Sequence, residues 1–263
     1  MIDLHCHILP GVDDGPETVE GSLDLVRAAV ASGARTMVAT PHVSWRFRNT
    51  ASGIAAAAVA LRERIAREGI DLELLTGAEL AMTHVADVRD EEITALHLGG
   101  GPWLLLEPPF ATVASGLLEI TGDLQRRGHR ILIAHPERCP AIHREPRLLE
   151  GLVASGALSS VTAGSLVGRF GESVRRFALS ILEAGLAHNV SSDAHDVGKR
   201  APGCAREIET AGLGPLAEWL TETVPAAILA GTEAIPPRPP YTPPRRGLTD
   251  RLRPKRRRQI ESP

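Results

Sequence analysis

Five histidines and four acidic residues lie at, or just past, the ends of apolar runs, which is how a polynuclear metal centre is built from strand ends. The runs read Ile2-Asp3-Leu4-His5-Cys6-His7, Thr36-Met37-Val38-Ala39-Thr40-Pro41-His42 and Leu74-Leu75-Thr76-Gly77-Ala78-Glu79. They continue with Leu104-Leu105-Leu106-Glu107, Ile131-Leu132-Ile133-Ala134-His135 and Asn189-Val190-Ser191-Ser192-Asp193-Ala194-His195. His5 and His7 stand two apart, so on a strand their imidazoles share a face and Cys6 points the other way, into the packing. Asp193 and His195 repeat that spacing. Asp13-Asp14-Gly15 follows the first run in a loop where a hard oxygen ligand can bend back; Asp14 is favoured and Asp13 is the alternative, while Asp-Gly is also a common turn pair. Glu79 and Glu107 close hydrophobic strands. A carboxylate buried there without a partner costs several kcal/mol, so a cation must compensate.

Mixed imidazole and carboxylate ligation suits Mn, Fe or Zn and disfavours a thiolate-type structural zinc site. With bridging carboxylates, His5, His7, Asp14, His42, Glu79, Glu107, His135, Asp193 and His195 suffice for two or three divalent ions. Water shared between such ions ionises near neutral pH and attacks an electrophile. Arg138, three residues after His135, and Arg200, five after His195, offer guanidinium forks that suit phosphate oxygens. Trp45 and Phe47, just after His42, are placed to line the mouth or to form a hydrophobic lid. His84, His97, His129, His143 and His188 lack strand-end positions and read as surface or helix-packing residues.

These groups need a scaffold that brings six strand ends together. The strands are nearly continuous apolar runs, as in a parallel sheet buried on both faces. They alternate with helical patterns at roughly 17–32, 54–68, 86–96, 112–128, 146–155, 171–186 and 203–213, which indicates an α/β fold. An open doubly wound sheet would use two or three strand ends at one switch point. A barrel gathers all of them at one mouth, so the expected fold is a distorted (β/α)7 TIM-like barrel over residues 1–232.

The chain has 263 residues, 43% of them hydrophobic, and a formal net charge of −3. From Glu233 onward there are nine Lys/Arg and three Asp/Glu, leaving an acidic body of 20 basic and 29 acidic residues. Clustered cations would offset that body charge. The segment from Glu233 is proline-rich and basic and is expected to be disordered or extended. It reads first as a solvated low-complexity extension and otherwise as a candidate for contact with an anionic membrane surface, nucleic acid or an acidic partner. Cys6, Cys139 and Cys204 are too few for a disulfide framework, and neither a signal peptide nor a membrane span is evident. A cytoplasmic location is expected.

At Ile2-Asp3-Leu4-His5-Cys6-His7-Ile8-Leu9-Pro10-Gly11-Val12-Asp13-Asp14-Gly15-Pro16 the chain resembles the bacterial manganese-dependent protein-tyrosine phosphatases of capsular and exopolysaccharide biosynthesis, members of the polymerase-and-histidinol-phosphatase (PHP) superfamily. The resemblance extends through Thr40-Pro41-His42, Gly77-Ala78-Glu79, Leu106-Glu107, Ala134-His135-Pro136-Glu137-Arg138 and Ser192-Asp193-Ala194-His195 with Arg200. It covers roughly residues 1–232 and excludes the basic tail. It implies a first metal on His5, His7, Glu79 and Asp193, a second on Glu79, Glu107 and His135, and a third on Asp14, His42 and His195. By the same resemblance Arg138 and Arg200 clamp the phosphate. The implied substrate is phosphotyrosine on a membrane-associated tyrosine kinase, and no nucleic-acid partner is expected.

Three rivals remain at this level. A cysteine-based phosphatase needs Cys, five residues and Arg; six positions after the three cysteines stand Val12, Glu145 and Thr210, so the spacing fails. A histidinol phosphatase or other small-molecule phosphoesterase keeps the metals and changes the substrate. A non-catalytic scaffold barrel would have lost ligands, yet every expected position is filled.

Overall fold

The computed structural model describes residues 1–242. Nine short strands alternate with ten α-helices among them. The strands are β1 (Ile2–Cys6), β2 (Thr36–Ala39), β3 (His42–Val43), β4 (Glu73–Thr76), β5 (Glu79–Ala81), β6 (Trp103–Glu107), β7 (Arg130–Ala134), β8 (Leu158–Thr162) and β9 (Asn189–Ser191). The helices are α1 (Val19–Ala31), α2 (Ala51–Arg67), α3 (Asp90–Ala95), α4 (Leu117–Arg126), α5 (Pro140–Arg144), α6 (Arg147–Ala154), α7 (Ala163–Leu166), α8 (Glu172–Glu183), α9 (Ala205–Thr210) and α10 (Val224–Ala230). Each of the seven helices expected from the sequence has a counterpart, and α5, α7 and α10 are additional. Local chemistry sets the boundaries: the Thr18 and Thr50 hydroxyls accept from Gly21 N and Gly53 N and cap α1 and α2.

All strand pairs are parallel and form two sheets, one ordered β1-β2-β4 and one ordered β3-β5-β6-β7-β8-β9. Seven strands were expected; nine occur because two of the expected strands are each interrupted. Thr40-Pro41 separates β2 from β3, where Pro41 has no N–H to give the ladder. Gly77-Ala78 separates β4 from β5, and a Cβ on Gly77 would come within 2.8 Å of Leu98. Hydrogen bonds cross both breaks, Gly77 N to Ala39 O at 2.9 Å and Glu79 N to Pro41 O at 3.1 Å. At the far side, β1 meets the segment after β9 through a bridge between Cys6 and Ala194. There His7 N donates to Ala194 O at 2.8 Å and Asp193 N donates to His5 O at 2.9 Å.

The core is continuous and packs strand residues such as Leu4, Met37, Leu80, Leu104, Leu132 and Val190 beneath the helices. Residues 233–242, the start of the expected tail, carry no helix or strand yet lie against the body. Trp219 Nε1 donates to Pro236 O at 3.0 Å, Arg238 to Leu182 O at 2.8 Å and the Tyr241 hydroxyl to Gly212 O at 3.3 Å. The basic cluster Arg251 to Arg258 lies outside the described residues. Among the described residues no helix is long and apolar enough to cross a membrane.

Candidate metal centre

The nine residues expected as metal donors converge at the carboxyl ends of the strands. They form four overlapping groups: His7, Asp14, His42 and His195; His5, His7 and Asp193; His5, Glu79 and His135; and His42, Glu79 and Glu107. Within each group the donor atoms all lie within 4.8 Å of one another. None of these groups includes His84, His97, His129, His143 or His188. His97 and His129 are buried instead against each other, Nε2 to Nδ1 at 2.9 Å.

Glu79 stands at the centre. Its side chain is fully buried, and Oε2 lies 3.2 Å from His5 Nε2, 3.3 Å from His7 Nε2 and 3.0 Å from His42 Nδ1. None of these approaches has hydrogen-bond geometry, so Oε2 is a buried oxygen without a hydrogen-bond partner. Oε1 is 2.7 Å from His135 Nε2. His5 Nε2 and His7 Nε2 face each other at 3.2 Å. Asp193 Oδ1 is likewise buried and unbonded, 3.4 Å from His5 Nε2 and 3.5 Å from His7 Nε2. Buried polar atoms are normally satisfied. Unbonded carboxylate oxygens ringed by imidazole nitrogens fit a donor set for divalent cations, and the oxygen-plus-nitrogen chemistry suits Mn, Fe or Zn.

Electrostatics in the cluster follow from burial and crowding. Burial and then the adjacent Glu79 carboxylate push Glu107 up to about 8. Burial, reinforced by Arg138, pulls His135 down to about 4. Burial also works against a charged His7, but the Asp13 carboxylate 2.6 Å from Nδ1 and the nearby Glu79 carboxylate prevail and raise it to about 10. The nearby imidazoles and arginines hold Asp193 far below the carboxylate range in spite of its burial. The His195 imidazole, 3.2 Å away, lowers Asp14 against the effect of its partial burial.

The two aspartates of the first loop take different positions. Asp14 Oδ1 enters the cluster, 3.2 Å from His195 Nε2 and 3.4 Å from His42 Nε2. Asp13 sits behind it: Oδ2 is 2.6 Å from His7 Nδ1 and accepts from His42 N at 3.1 Å, while Oδ1 accepts from Gly15 N at 3.0 Å. A carboxylate on the far nitrogen of an imidazole fixes the tautomer that turns Nε2 toward a metal. Gly15 is needed for this loop, because a Cβ there would come within 2.4 Å of His7 O. Cys6 is buried with Sγ directed to Val38 O at 3.3 Å, away from the donors.

Arg138 and Arg200 meet at the same carboxylate oxygen, each 2.5 Å from Asp193 Oδ2. Asp193 therefore faces the imidazoles with one oxygen and the guanidinium pair with the other. Both arginines keep some solvent access, at 15% and 25% of the side chain. Arg138 also lies over the rings of Phe110 and Phe170, at 5.2 and 4.4 Å. Phe47 stacks on His42 at 5.5 Å, and Trp45 stands 55% exposed at the rim.

Sequence reasoning did not single out several supporting residues. Asp3 Oδ1 accepts from His5 N at 3.3 Å and Ser192 N at 3.1 Å, tying β1 to the segment after β9 that carries Asp193. Its alternation with His5 and His7 was the available signal. Glu137 is buried and accepts from Thr162 N at 3.0 Å and the Ser165 hydroxyl at 2.7 Å, which anchors the His135–Arg138 turn to β8 and α7. Among the described residues the only non-glycine positive φ values occur at His135 (30°) and Asp193 (51°), both in the cluster. Such strain persists where the surroundings over-determine it, as functional sites do.

Fold and side chains define a class: a parallel α/β protein with clustered His, Asp and Glu side chains that could hold metal at its strand ends. Residues 1–212 match the family model for capsular polysaccharide synthesis, CpsB/CapC, and the chain belongs to this family. It is 40% identical to the tyrosine-protein phosphatase YwqE of Bacillus subtilis over 76% of this chain and 79% of that one. It is 33% identical to the putative tyrosine-protein phosphatase CapC of Staphylococcus aureus, over 76% and 79%. A chain from the crystal structures of YwqE from Bacillus subtilis and CpsB from Streptococcus pneumoniae, unique metal-dependent tyrosine phosphatases, superposes with a TM-score of 0.80 at 36% identity. That superposition covers 94% of this chain and 100% of that chain.

Proposed function

We propose that this protein is a metal-dependent protein-tyrosine phosphatase that regulates capsular or exopolysaccharide synthesis. The observation that carries the proposal is the pair of unbonded carboxylate oxygens, Glu79 Oε2 and Asp193 Oδ1, among imidazole nitrogens beside two convergent arginines. Supporting it are the phosphatase names of relatives that share about four-fifths of their length with this chain.

His5, His7, Glu79 and Asp193 would hold one divalent ion; Glu79, Glu107 and His135 a second; Asp14, His42 and His195 a third, with manganese the expected metal. When bound, such ions supply charge neutralisation for a phosphoryl group and activate water at neutral pH. The remaining chemistry belongs to the chain. Arg138 and Arg200 turn from Asp193 to the non-bridging phosphate oxygens and hold the phosphorus in line. Phe110 at His135 and Phe47 at His42 flank the centre and would pack a phenyl ring. A phenolate, with a parent pKa near 10, leaves without a strong proton donor. Asp13 fixes His7, and Asp3 and Glu137 fix the backbone behind the donors. The three cysteines are buried and burial raises each thiol, which argues against a thiolate nucleophile.

The contacts that join β1 to the segment after β9, together with those across the two strand breaks, support a distorted seven-stranded barrel. The partner would be a phosphotyrosine-bearing protein, a membrane-associated tyrosine kinase, met in the cytoplasm; the basic tail would bring the enzyme to the membrane surface. The test is phosphate release from a phosphotyrosyl peptide with added Mn. Turnover abolished by a chelator and spared by thiol reagents is expected. Preference for histidinol phosphate would instead favour the small-molecule phosphatase reading.

A further inference from the structure

A cleft of about 340 Å³ adjoins the metal centre, and its walls include Val43, Trp45, Arg48, His84 and Arg89. Val43 directly follows the candidate donor His42. Asn49, also in the wall, donates to His42 O at 2.8 Å and Val12 O at 2.9 Å, which ties the cleft to the loop of Asp13 and Asp14. Cleft and centre are thus built on the same backbone.

The charges in the cleft are unequally satisfied. Of its two acids, Glu92 is engaged, Oε1 accepting from Ala51 N, at the start of α2, at 2.6 Å; Asp87 Oδ2 lies 3.5 Å from His84 Nδ1 without a hydrogen bond between them. The cations are not engaged. Among the described residues neither Arg48 nor Arg89 has an ion-pair partner, and Arg48 lies over the Trp45 ring at 5.7 Å. His84 Nδ1 is buried without a hydrogen bond, and the Trp45 ring meets the His84 ring edge-on at 4.8 Å. Two unpaired guanidinium groups in one cleft, that of Arg48 over an exposed indole, match an anionic side chain with an aliphatic stem. A free small anion would leave Trp45 uncovered; a side chain on a bound peptide covers both.

We infer that this cleft is a specificity subsite for an anionic side chain, carboxylate or phosphate, that flanks the phosphotyrosine in the substrate, with Arg48 and Arg89 as its charge partners and Trp45 as its floor. The inference rests on the phosphatase reading. It makes this wall of the mouth responsible for choosing among phosphotyrosyl sequences, while the metal centre performs the same hydrolysis on all of them.

The Mn-loaded full chain is tested on phosphotyrosyl peptides that differ only in the flanking residues: glutamate, phosphoserine or lysine on either side. Glutamate or phosphoserine is expected to raise kcat/KM about tenfold over lysine, roughly 1.4 kcal/mol. The double variant Arg48→Ala, Arg89→Ala is expected to erase that preference and to leave p-nitrophenyl phosphate turnover within about twofold of the parent, since neither residue touches the centre. A gain confined to phosphoserine identifies a phosphate occupant; a gain with both identifies a general anion subsite. Equal kcat/KM across the peptides in the parent, or a preference that survives the double variant, overturns the subsite alone. Failure to hydrolyse any phosphotyrosyl peptide overturns the phosphatase reading beneath it.

Discussion

Replacement of Asp13 by Asn separates a residue that supports a donor from one that is a donor. The Asp13 carboxylate faces three donors, the His7 ring at 2.6 Å, His42 N at 3.1 Å and Gly15 N at 3.0 Å. An amide has one acceptor oxygen. With that oxygen in place of Oδ2 the first two contacts survive, but the amide N–H then opposes the Gly15 N–H. The loss of one hydrogen bond to a charged group costs roughly 1.5–3 kcal/mol. The loss of negative charge behind His7 also weakens the imidazole as a ligand, and supporting partners of this kind typically change metal affinity by about 10- to 100-fold. Asp13→Asn should therefore raise the half-saturating Mn concentration for p-nitrophenyl phosphate hydrolysis by about 10- to 100-fold. At saturating Mn its kcat should return to within about threefold of the parent. Asp14→Asn removes an atom from the cluster itself and should lower kcat at every Mn concentration. An Asp13→Asn enzyme with unchanged Mn dependence, or a harmless Asp14→Asn, would refute the division of roles.

Further consequences can be checked separately. Arg138→Lys and Arg200→Lys each replace a planar fork by a point charge and should lower kcat/KM for phosphotyrosyl peptide by about two orders of magnitude. Their metal content should equal the parent's, and an undiminished kcat/KM would remove the arginines from the phosphate site. Gly15→Ala pushes a methyl group into His7 O, 2.4 Å away, and should cost about 1–3 kcal/mol of stability, seen as a lower Tm; an unaltered Tm contradicts that crowding. Burial, with help from Arg238, pulls His188 down to about 4. Between about pH 4 and 6.5 the unfolded chain therefore binds a proton that the folded chain does not, and folding stability falls as pH drops through that window. The full penalty is about 3 kcal/mol. Urea titrations should show a shallower acid slope for His188→Asn, and equal slopes would sink this assignment.

The residues that converge at the strand ends were legible because strand-end chemistry is written locally. His5 and His7 alternate on one strand, Asp193 and His195 repeat the spacing, and Glu79 and Glu107 each end an apolar run that gives no other reason for a carboxylate. The choice between Asp13 and Asp14 was not legible, since both fit a loop before Gly15; it depends on how that loop presses on the His7 carbonyl, a contact visible only in three dimensions. The two breaks that divide expected strands into shorter segments were not legible for a similar reason. Pro41 and Gly77 interrupt apolar runs that read as unbroken, and Leu98, which crowds Gly77, comes from a distant segment. Asp3 and Glu137 escaped notice because their roles are to bind backbone N–H groups at Ser192 and Thr162. The convergence of Arg138 and Arg200 on one oxygen of Asp193 joins turns 62 residues apart in sequence, and composition carries no trace of it.

The central claim is that Glu79 and its surrounding imidazoles exist to hold divalent cations, and metal content per chain tests it most directly. Elemental analysis of the purified protein equilibrated with Mn should give two to three ions per chain, reduced by at least one in Glu79→Gln with the fold retained by circular dichroism. Less than one tightly held ion in the parent chain, or the same content in Glu79→Gln, would contradict the account.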